Sequence, residues 1–161
     1  MWLWKLMLVI MVFALILGGV TSAEDQETIV KTLVEKAAAS FQLKGKNHAL
    51  KLISSLDGGF RKGSIYTFAV SMKGITLSHP ANRKLIGRNV INLKGANGKE
   101  FIKDFIAVAK EPGSGWVEYW WPRHGEKNPS LKRSYIVKVP RFDILVGAGY
   151  YVETHAIANK P

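Results

Sequence analysis

The sequence contains no cysteine, and this absence excludes several kinds of chemistry. Disulfide frameworks, thiolate zinc sites, iron–sulfur clusters and cysteine nucleophiles all require that residue. Acidic residues are also scarce: 12 Asp and Glu stand against 23 Lys and Arg in 161 residues, and the formal net charge is +11. With 47% hydrophobic and 22% charged residues, the chain is too apolar for a disordered tail and too polar for a multi-span membrane protein. Its length favours a single domain.

Motifs of hydrolytic and metal-dependent enzymes are also missing. The sequence has neither a Gly-x-Ser-x-Gly elbow nor a His-Glu-x-x-His pair. Its four histidines are scattered, without the spacing of metal ligands, and its candidate carboxylates occur singly. We therefore predict a protein that is not an enzyme and that uses no metal and no cofactor. A small exported enzyme, whose carboxylates meet only in space, stays open as a minor alternative.

One long hydrophobic run is present, at the N-terminus. Residues 6–20 are all apolar or glycine, with Lys5 before them and Thr21-Ser22-Ala23 after them. This pattern predicts a secretory signal peptide over residues 1–23. The alternative is an uncleaved anchor, because flanking residues extend the run towards the roughly 20 that a membrane span needs. The remainder is therefore expected to be periplasmic or secreted, or anchored to the inner membrane and facing the periplasm.

Hydrophobic periodicity after this leader predicts helices and strands in separate stretches. Helical spacing of apolar residues occurs over 25–41, 48–56 and 99–110. Alternation predicts a hairpin over 64–79 and strands over 115–121, 133–139 and 144–152, with a polar, flexible linker over 122–131. Consecutive strands joined by short turns imply an antiparallel sheet with helices on one face or end, which is an α+β fold.

Several short motifs follow one another in a distinctive order. They are Tyr66-Thr67-Phe68-Ala69-Val70, Gly74, His79-Pro80, Leu85-Ile86-Gly87-Arg88, Gly98-Lys99, Gly113-Ser114-Gly115-Trp116-Val117-Glu118-Tyr119-Trp120-Trp121-Pro122, Lys132-Arg133-Ser134-Tyr135 and Val146-Gly147-Ala148-Gly149-Tyr150-Tyr151-Val152. In this order and spacing they resemble a single Cache domain, the extracytoplasmic ligand sensor of bacterial chemoreceptors and sensor kinases. The resemblance covers about residues 25–153.

The resemblance implies both a fold and a ligand. The implied fold is a long N-terminal helix packed across a PAS-like antiparallel sheet of five or six strands, with residues 24–153 as the domain and 154–161 as a C-terminal tail. The implied ligand is a small organic anion, held in a cavity between the sheet and its covering loops. Because the chain stops at Pro161, we expect no output module on it and a membrane sensor kinase or chemoreceptor as partner.

Three polar residues are candidates for holding a carboxylate, which requires donors and a cation among apolar walls. The resemblance favours Lys132 and Tyr135 as a donor pair, and His79 can donate from its ring. Lys132 and Tyr135 are three residues apart, so a regular strand would place them on opposite faces. Both could therefore reach one cavity only if Lys132 lies in the loop or at a bulge. The alternatives are a solvated Lys132 and a His79 that caps the turn at Pro80.

Two aromatic residues and one arginine complete the candidate ligand-binding set. Tyr119 and Trp121 share strand parity and are expected to wall the ligand chain, although aromatics at alternate positions are more often core residues. Arg88 is a weaker candidate cation, because arginines in loops usually face solvent.

The strong positive charge has more than one interpretation. A pI near 9.9 is common in nucleic-acid-binding proteins, but export and the scattered basic residues argue against nucleic acid as a partner. A positive field favours anionic ligands or acidic partner proteins, and the same charge could serve solubility alone. We predict an exported binding module for a small organic acid. An assembly protein with a vestigial pocket is the main alternative.

Overall fold

A computed structural model describes residues 23–153 of the chain. It contains three α-helices, α1 (Ala23–Lys44), α2 (Lys46–Ser54) and α3 (Phe101–Lys110). Its six strands are β1 (Arg61–Lys62), β2 (Ile65–Ser71), β3 (Thr76–Ser78), β4 (Ser114–Pro122), β5 (Pro129–Val139) and β6 (Ile144–Tyr151). The predicted signal peptide, apart from its last residue, and the predicted tail 154–161 lie outside the described residues. Between residues 23 and 153, no helix is both long and apolar enough to cross a membrane.

The six strands form one antiparallel sheet in the order β1-β2-β6-β5-β4, and β3 pairs with β2 as well. Strand β6, the last strand within residues 23–153, therefore lies at the centre, between β2 and β5. This arrangement confirms the predicted α+β fold with a PAS-like antiparallel sheet. All eight residues of β6 are buried, as expected for a strand that is covered on both faces.

Helix α1 covers one face of the sheet. Its buried residues recur at spacings of three and four, which places them on a single side of the helix. They are Val30, Leu33, Val34, Ala37, Ser40 and Phe41. With α2 they pack against residues of β2, β5 and β6. The predicted long N-terminal helix across the sheet is confirmed, and Gly45 separates it from α2 as the sequence indicates.

Helix α3 and the loop over residues 80–98 cover the opposite face. The helix buries Phe101, Ile102, Phe105, Ile106 and Ala109 against that face. Val90 is buried in the same cluster, and Leu85 and Leu93 pack against it from the loop. Helix and loop together leave a small gap above the sheet. We call this side of the sheet the cavity face.

Two local features differ from the sequence expectations. The predicted linker 122–131 is shorter, because Pro122 and Pro129 are paired residues at the ends of β4 and β5. The polar residues before position 133 are therefore part of a regular strand. The predicted hairpin 64–79 is present, but its register shifts between Ala69 and Val70. Such a bulge moves the residues after it to the other face of the sheet.

Candidate functional site

A cavity of about 40 Å³ lies between the cavity face, α3 and the loop over residues 80–98. Its lining residues are Tyr66, Phe68, Val70, Thr76, His79, Leu85, Val90, Leu93, Phe101, Ile102, Phe105, Tyr119, Trp121 and Lys132. A water molecule needs roughly 10–15 Å³ of such space. The cavity therefore has room for a molecule of a few heavy atoms. Its walls are mostly aliphatic and aromatic, with polar groups at a few positions, as is typical of small-molecule sites.

Lys132 supplies the positive charge of the cavity. Its side chain is 1% exposed and extends from the middle of β5, opposite Tyr119 on β4 and Tyr151 on β6. Its Nζ donates a hydrogen bond to the Tyr66 hydroxyl at 2.9 Å. The same ammonium lies 4.2 Å from the ring centroid of Tyr66 and 5.0 Å from that of Tyr151. Aromatic rings and one hydroxyl thus hold the charge in place.

No carboxylate within residues 23–153 forms an ion pair with Lys132. Burial disfavours the charged form of the amine and lowers the pKa of Lys132 from 10.5 to about 7. A buried cation without a counter-ion is costly, because aromatic rings and a hydroxyl replace only part of its hydration. An anion bound in the cavity would remove much of that cost.

His79 adds a directed hydrogen-bond donor beside the lysine. Its Nδ1 accepts the backbone N–H of Asn82 at 2.9 Å, so the neutral ring carries its proton on Nε2. Burial, with the nearby charge of Lys132, lowers the pKa of His79 to about 4. The ring is therefore neutral at physiological pH. Its centroid lies 5.2 Å from that of Tyr66, which brings Tyr66, His79 and Lys132 together. We call these three residues the polar end of the cavity.

Tyr119 and Trp121 form an aromatic wall with Phe101 of α3. The Tyr119 ring stacks on Phe101 at a centroid distance of 4.2 Å, and Trp121 meets Phe101 edge-on at 5.4 Å. The Tyr119 hydroxyl already bonds to the Ser134 hydroxyl at 3.0 Å, and burial raises the pKa of Tyr119. The predicted shared parity of Tyr119 and Trp121 is confirmed, and their contribution here is apolar surface.

The structure places two predicted site residues away from the cavity. Tyr135 lies on the opposite face of β5, where its ring packs 5.2 Å from that of Trp116. Both residues could reach one cavity only if Lys132 left the regular strand, and it does not: β5 is regular from Pro129 onward, so alternation separates the two residues. Arg88 is exposed and lines a surface groove between residues 85 and 93, outside the cavity.

Comparison with known proteins identifies the family. The family model described as Cache domain matches residues 21–158. The chain belongs to the Cache domain family. Methyl-accepting chemotaxis protein McpP of Pseudomonas putida is 31% identical over 77 residues, which are 48% of this chain and 14% of McpP. Sensor histidine kinase MctS of Rhizobium johnstonii is 27% identical over 124 residues, which are 77% of this chain and 26% of MctS. The chain thus spans about a quarter or less of each relative.

Solved structures resemble this Cache domain over most of its length. A periplasmic sensor domain of a chemotaxis protein is 26% identical with a TM-score of 0.68, covering 84% of this chain and 100% of that one. A Cache chemosensory domain described for carboxylic acid recognition is 25% identical with a TM-score of 0.65, covering 81% of this chain and 92% of that one. A methyl-accepting chemotaxis protein from Vibrio parahaemolyticus, 19% identical with a TM-score of 0.69, shares the fold.

Sequence reasoning missed Tyr66 as a member of the polar end of this Cache domain. Alternation along β2 assigns Tyr66, Phe68 and Val70 to one face, which was the available signal. The contact with Lys132 joins residues 66 positions apart, so only the folded sheet reveals it. Gly147 leaves room for the Phe68 ring that lines the cavity, because an added Cβ would lie 2.6 Å from Cζ of Phe68.

A broad, open groove adjoins the polar end of the cavity. Its volume is about 520 Å³, and it shares Tyr66, His79 and Trp121 with the cavity. Basic side chains, including Arg83, Lys84 and Arg123, line the same groove. Because clustered positive charge concentrates anions near a surface, this groove would favour the approach of an anion to the cavity.

Proposed function

We propose that this Cache domain is an extracytoplasmic sensor domain that binds a small organic acid without converting it chemically. The observation that carries the proposal is Lys132, a buried ammonium with no carboxylate partner within residues 23–153. A protein that retains such a group gains little stability from it. A bound anion would supply the missing counter-charge, which explains why the buried lysine is retained.

The bound acid would place its carboxylate at the polar end of the cavity. The Lys132 ammonium pairs with one oxygen, and the neutral His79 ring donates from Nε2 to the carboxylate. Tyr66 keeps the ammonium in position through its hydroxyl and its ring. Tyr119 and Trp121 then cover the carbon chain of the acid. Tyr135 and Arg88 take no part in this arrangement, because they lie outside the cavity.

The size of the cavity limits the acid to a short chain. About 40 Å³ of free space suits an acid of two to four carbons and is too small for a sugar or a nucleotide. The structural similarity to a Cache domain described for carboxylic acid recognition supports the same ligand class. Similarity to a chemotaxis receptor and a sensor kinase supports a role in signalling, in which ligand binding is communicated to a chemoreceptor or kinase output module.

Thermal-shift measurements followed by calorimetric titration test this proposal directly. The purified protein, dialysed free of carboxylate buffers, is titrated with acetate, propionate and butyrate, and with propionamide as an uncharged control. A ligand at 100 times its Kd stabilises a protein by about 2.7 kcal/mol, so binding raises Tm measurably. We expect at least one acid to bind and propionamide not to bind. No shift with any acid at millimolar concentration, or equal binding of the amide, would refute an anion site.

A further inference from the structure

The Lys132 side chain brings a nucleophilic atom, its amine nitrogen, into the cavity. The residue is 1% exposed and lines the cavity from the middle of β5. Within residues 23–153 its Nζ donates one hydrogen bond, to the Tyr66 hydroxyl at 2.9 Å. One position on the nitrogen is therefore used, and the others remain for a molecule in the cavity. Lysines in such apolar sites form covalent bonds with carbonyl compounds in several kinds of enzyme, because desolvation keeps the amine reactive.

A nucleophilic amine must be neutral, and the surroundings of Lys132 permit the neutral form. No carboxylate within residues 23–153 pairs with this amine and holds its proton in place. Its neighbours are the rings of Tyr66 and Tyr151 and a single hydroxyl. Burial lowers the pKa of Lys132 to about 7, so about half of these amines are neutral at pH 7, whereas a solvated lysine is almost entirely protonated. The cavity thus contains a nitrogen lone pair that a solvated lysine lacks at this pH.

The charge of the cavity restricts which covalent product is acceptable there. Apart from Lys132, no lysine or arginine of the described residues lines the cavity. An amide formed at Nζ would be neutral, and a carbamate formed with carbon dioxide would be an anion. Either product would leave a bound carboxylate without a cation, which is costly in an apolar site. An iminium, in which the nitrogen is doubly bonded to carbon, keeps one positive charge and still provides the counter-charge for a carboxylate.

We propose that Lys132 binds a short 2-oxo acid as a reversible iminium. The neutral amine attacks the carbonyl carbon, a nitrogen–carbon bond forms, and the electron pair of the carbonyl π bond moves to oxygen. This oxygen takes one hydrogen from the nitrogen and one proton from solvent and leaves as water, while the nitrogen lone pair completes the double bond to carbon. No oxidant or reductant is consumed. Hydrolysis reverses each step and releases the acid unchanged.

This inference rests on the proposed acid site and narrows its ligand class to acids with a carbonyl group next to the carboxylate. In such an acid the carboxylate is attached directly to the carbon that bonds to Nζ, so it stays at the polar end, where His79 lies. His79 donates to this carboxylate from Nε2, while its Nδ1 remains bonded to Asn82. The alkyl group faces Tyr119 and Trp121. Because the new bond joins the ligand to Nζ itself, a three-carbon acid needs no polar partner further along the cavity.

Trapping with a mild hydride donor tests the covalent bond. The purified full chain is incubated at pH 7 with 2-oxopropionate and sodium cyanoborohydride, which reduces an iminium to a stable secondary amine. Intact mass spectrometry then shows a gain equal to the mass of the acid less one oxygen atom, and peptide mapping locates it. We expect Lys132 to be labelled at least about tenfold faster than Lys138, which is exposed on the same strand. Excess propionate should slow the labelling of Lys132, because it occupies the same site.

Two variants and a binding measurement separate the possible outcomes. Lys132→Met should lose the fast adduct, and Lys138→Met should keep it. If Lys132 is labelled no faster than Lys138 while propionate binds in a calorimetric titration, the iminium is overturned and the acid site stays intact. Fast labelling of Lys132 that excess propionate does not slow would overturn the placement of the 2-oxo acid in the proposed acid site. Absence of both propionate binding and the adduct would overturn the acid site and this inference together.

Discussion

Replacing Lys132 with methionine should weaken ligand binding and stabilise the protein without ligand. Methionine has a similar length and no charge. The shift of the Lys132 pKa from 10.5 to about 7 corresponds to a cost of about 4 kcal/mol for the buried ammonium at pH 7. Removing the lysine also leaves the Tyr66 hydroxyl without its partner, which costs about 1–3 kcal/mol. The net expectation is a gain of about 1–3 kcal/mol, or a rise in Tm of about 3–10 °C.

The effect should depend on pH with a defined sign. The pKa of Lys132 is lower in the folded protein than in the unfolded chain, so the unfolded chain binds more protons between pH 7 and pH 10.5. Wild-type stability therefore rises with pH through that window. The advantage of Lys132→Met is full at or below pH 7 and disappears as the pH approaches 10.5. Denaturation of both proteins at pH 6, 7 and 9 in carboxylate-free buffer measures this change.

Lys138→Met is the matched control for this variant. Lys138 lies on the same strand, but it is exposed. Exposed substitutions usually change stability by less than about 0.5 kcal/mol, and we expect no change in binding. In Lys132→Met, acid affinity should fall at least about 30-fold, as when one partner of a buried charge pair is lost. Retained affinity, or a loss of stability of several kcal/mol at pH 7, would refute the reasoning that Lys132 is an unpaired charge held for a ligand.

Two further experiments test the need for a protonated Lys132 and the packing of Gly147 against Phe68. Propionate affinity should decrease as pH rises above about 7, by up to about tenfold per pH unit, because the carboxylate needs a protonated Lys132. Calorimetric titrations at pH 8 in buffers of different ionisation enthalpy should reveal proton uptake on binding. An affinity that does not depend on pH would contradict this expectation. Gly147→Ala places a Cβ 2.6 Å from Cζ of Phe68, so it should cost about 1–3 kcal/mol and reduce acid affinity as the ring is displaced into the cavity. In Gly115→Ala the new Cβ lies 3.1 Å from a Val108 methyl, a milder overlap, so we expect a smaller effect; equal effects of the two substitutions would disprove a specific role for Gly147.

Much of the fold could be predicted from hydrophobic periodicity. The stripe that includes Val30, Leu33 and Phe41 predicts an amphipathic helix, and α1 buries these residues against the sheet. Alternation along β4 predicts that Tyr119 and Trp121 share a face. Periodicity depends only on near neighbours in the chain, so it is available without knowledge of the rest of the structure. The family resemblance then added a long helix packed across a PAS-like antiparallel sheet and a cavity beside that sheet.

The details of the site depended on contacts that sequence does not show. Lys132 and Tyr135 conflict in parity, and both could share one cavity only if Lys132 lay outside the regular strand. In the structure, pairing of β5 with both β4 and β6 keeps Lys132 in regular register and takes Tyr135 to the other face. The partner of Lys132 is Tyr66, and the pairing of Thr76 with Val70 depends on a register shift between β2 and β3. The first is a contact between residues far apart in the chain and the second is an irregularity in strand pairing. Hydrophobic periodicity along the chain predicts neither.

Titration of the Lys132 amine, with and without a short-chain acid, would show whether this ammonium is an unpaired charge that a ligand neutralises. The pKa of its amine can be followed by NMR of the side chain, with Lys132→Met used to assign the resonance. We expect a pKa near 7 without ligand and a clear rise when a bound acid supplies the counter-charge. A pKa near that of a solvated lysine, about 10.4, unchanged by any short-chain acid, would contradict it.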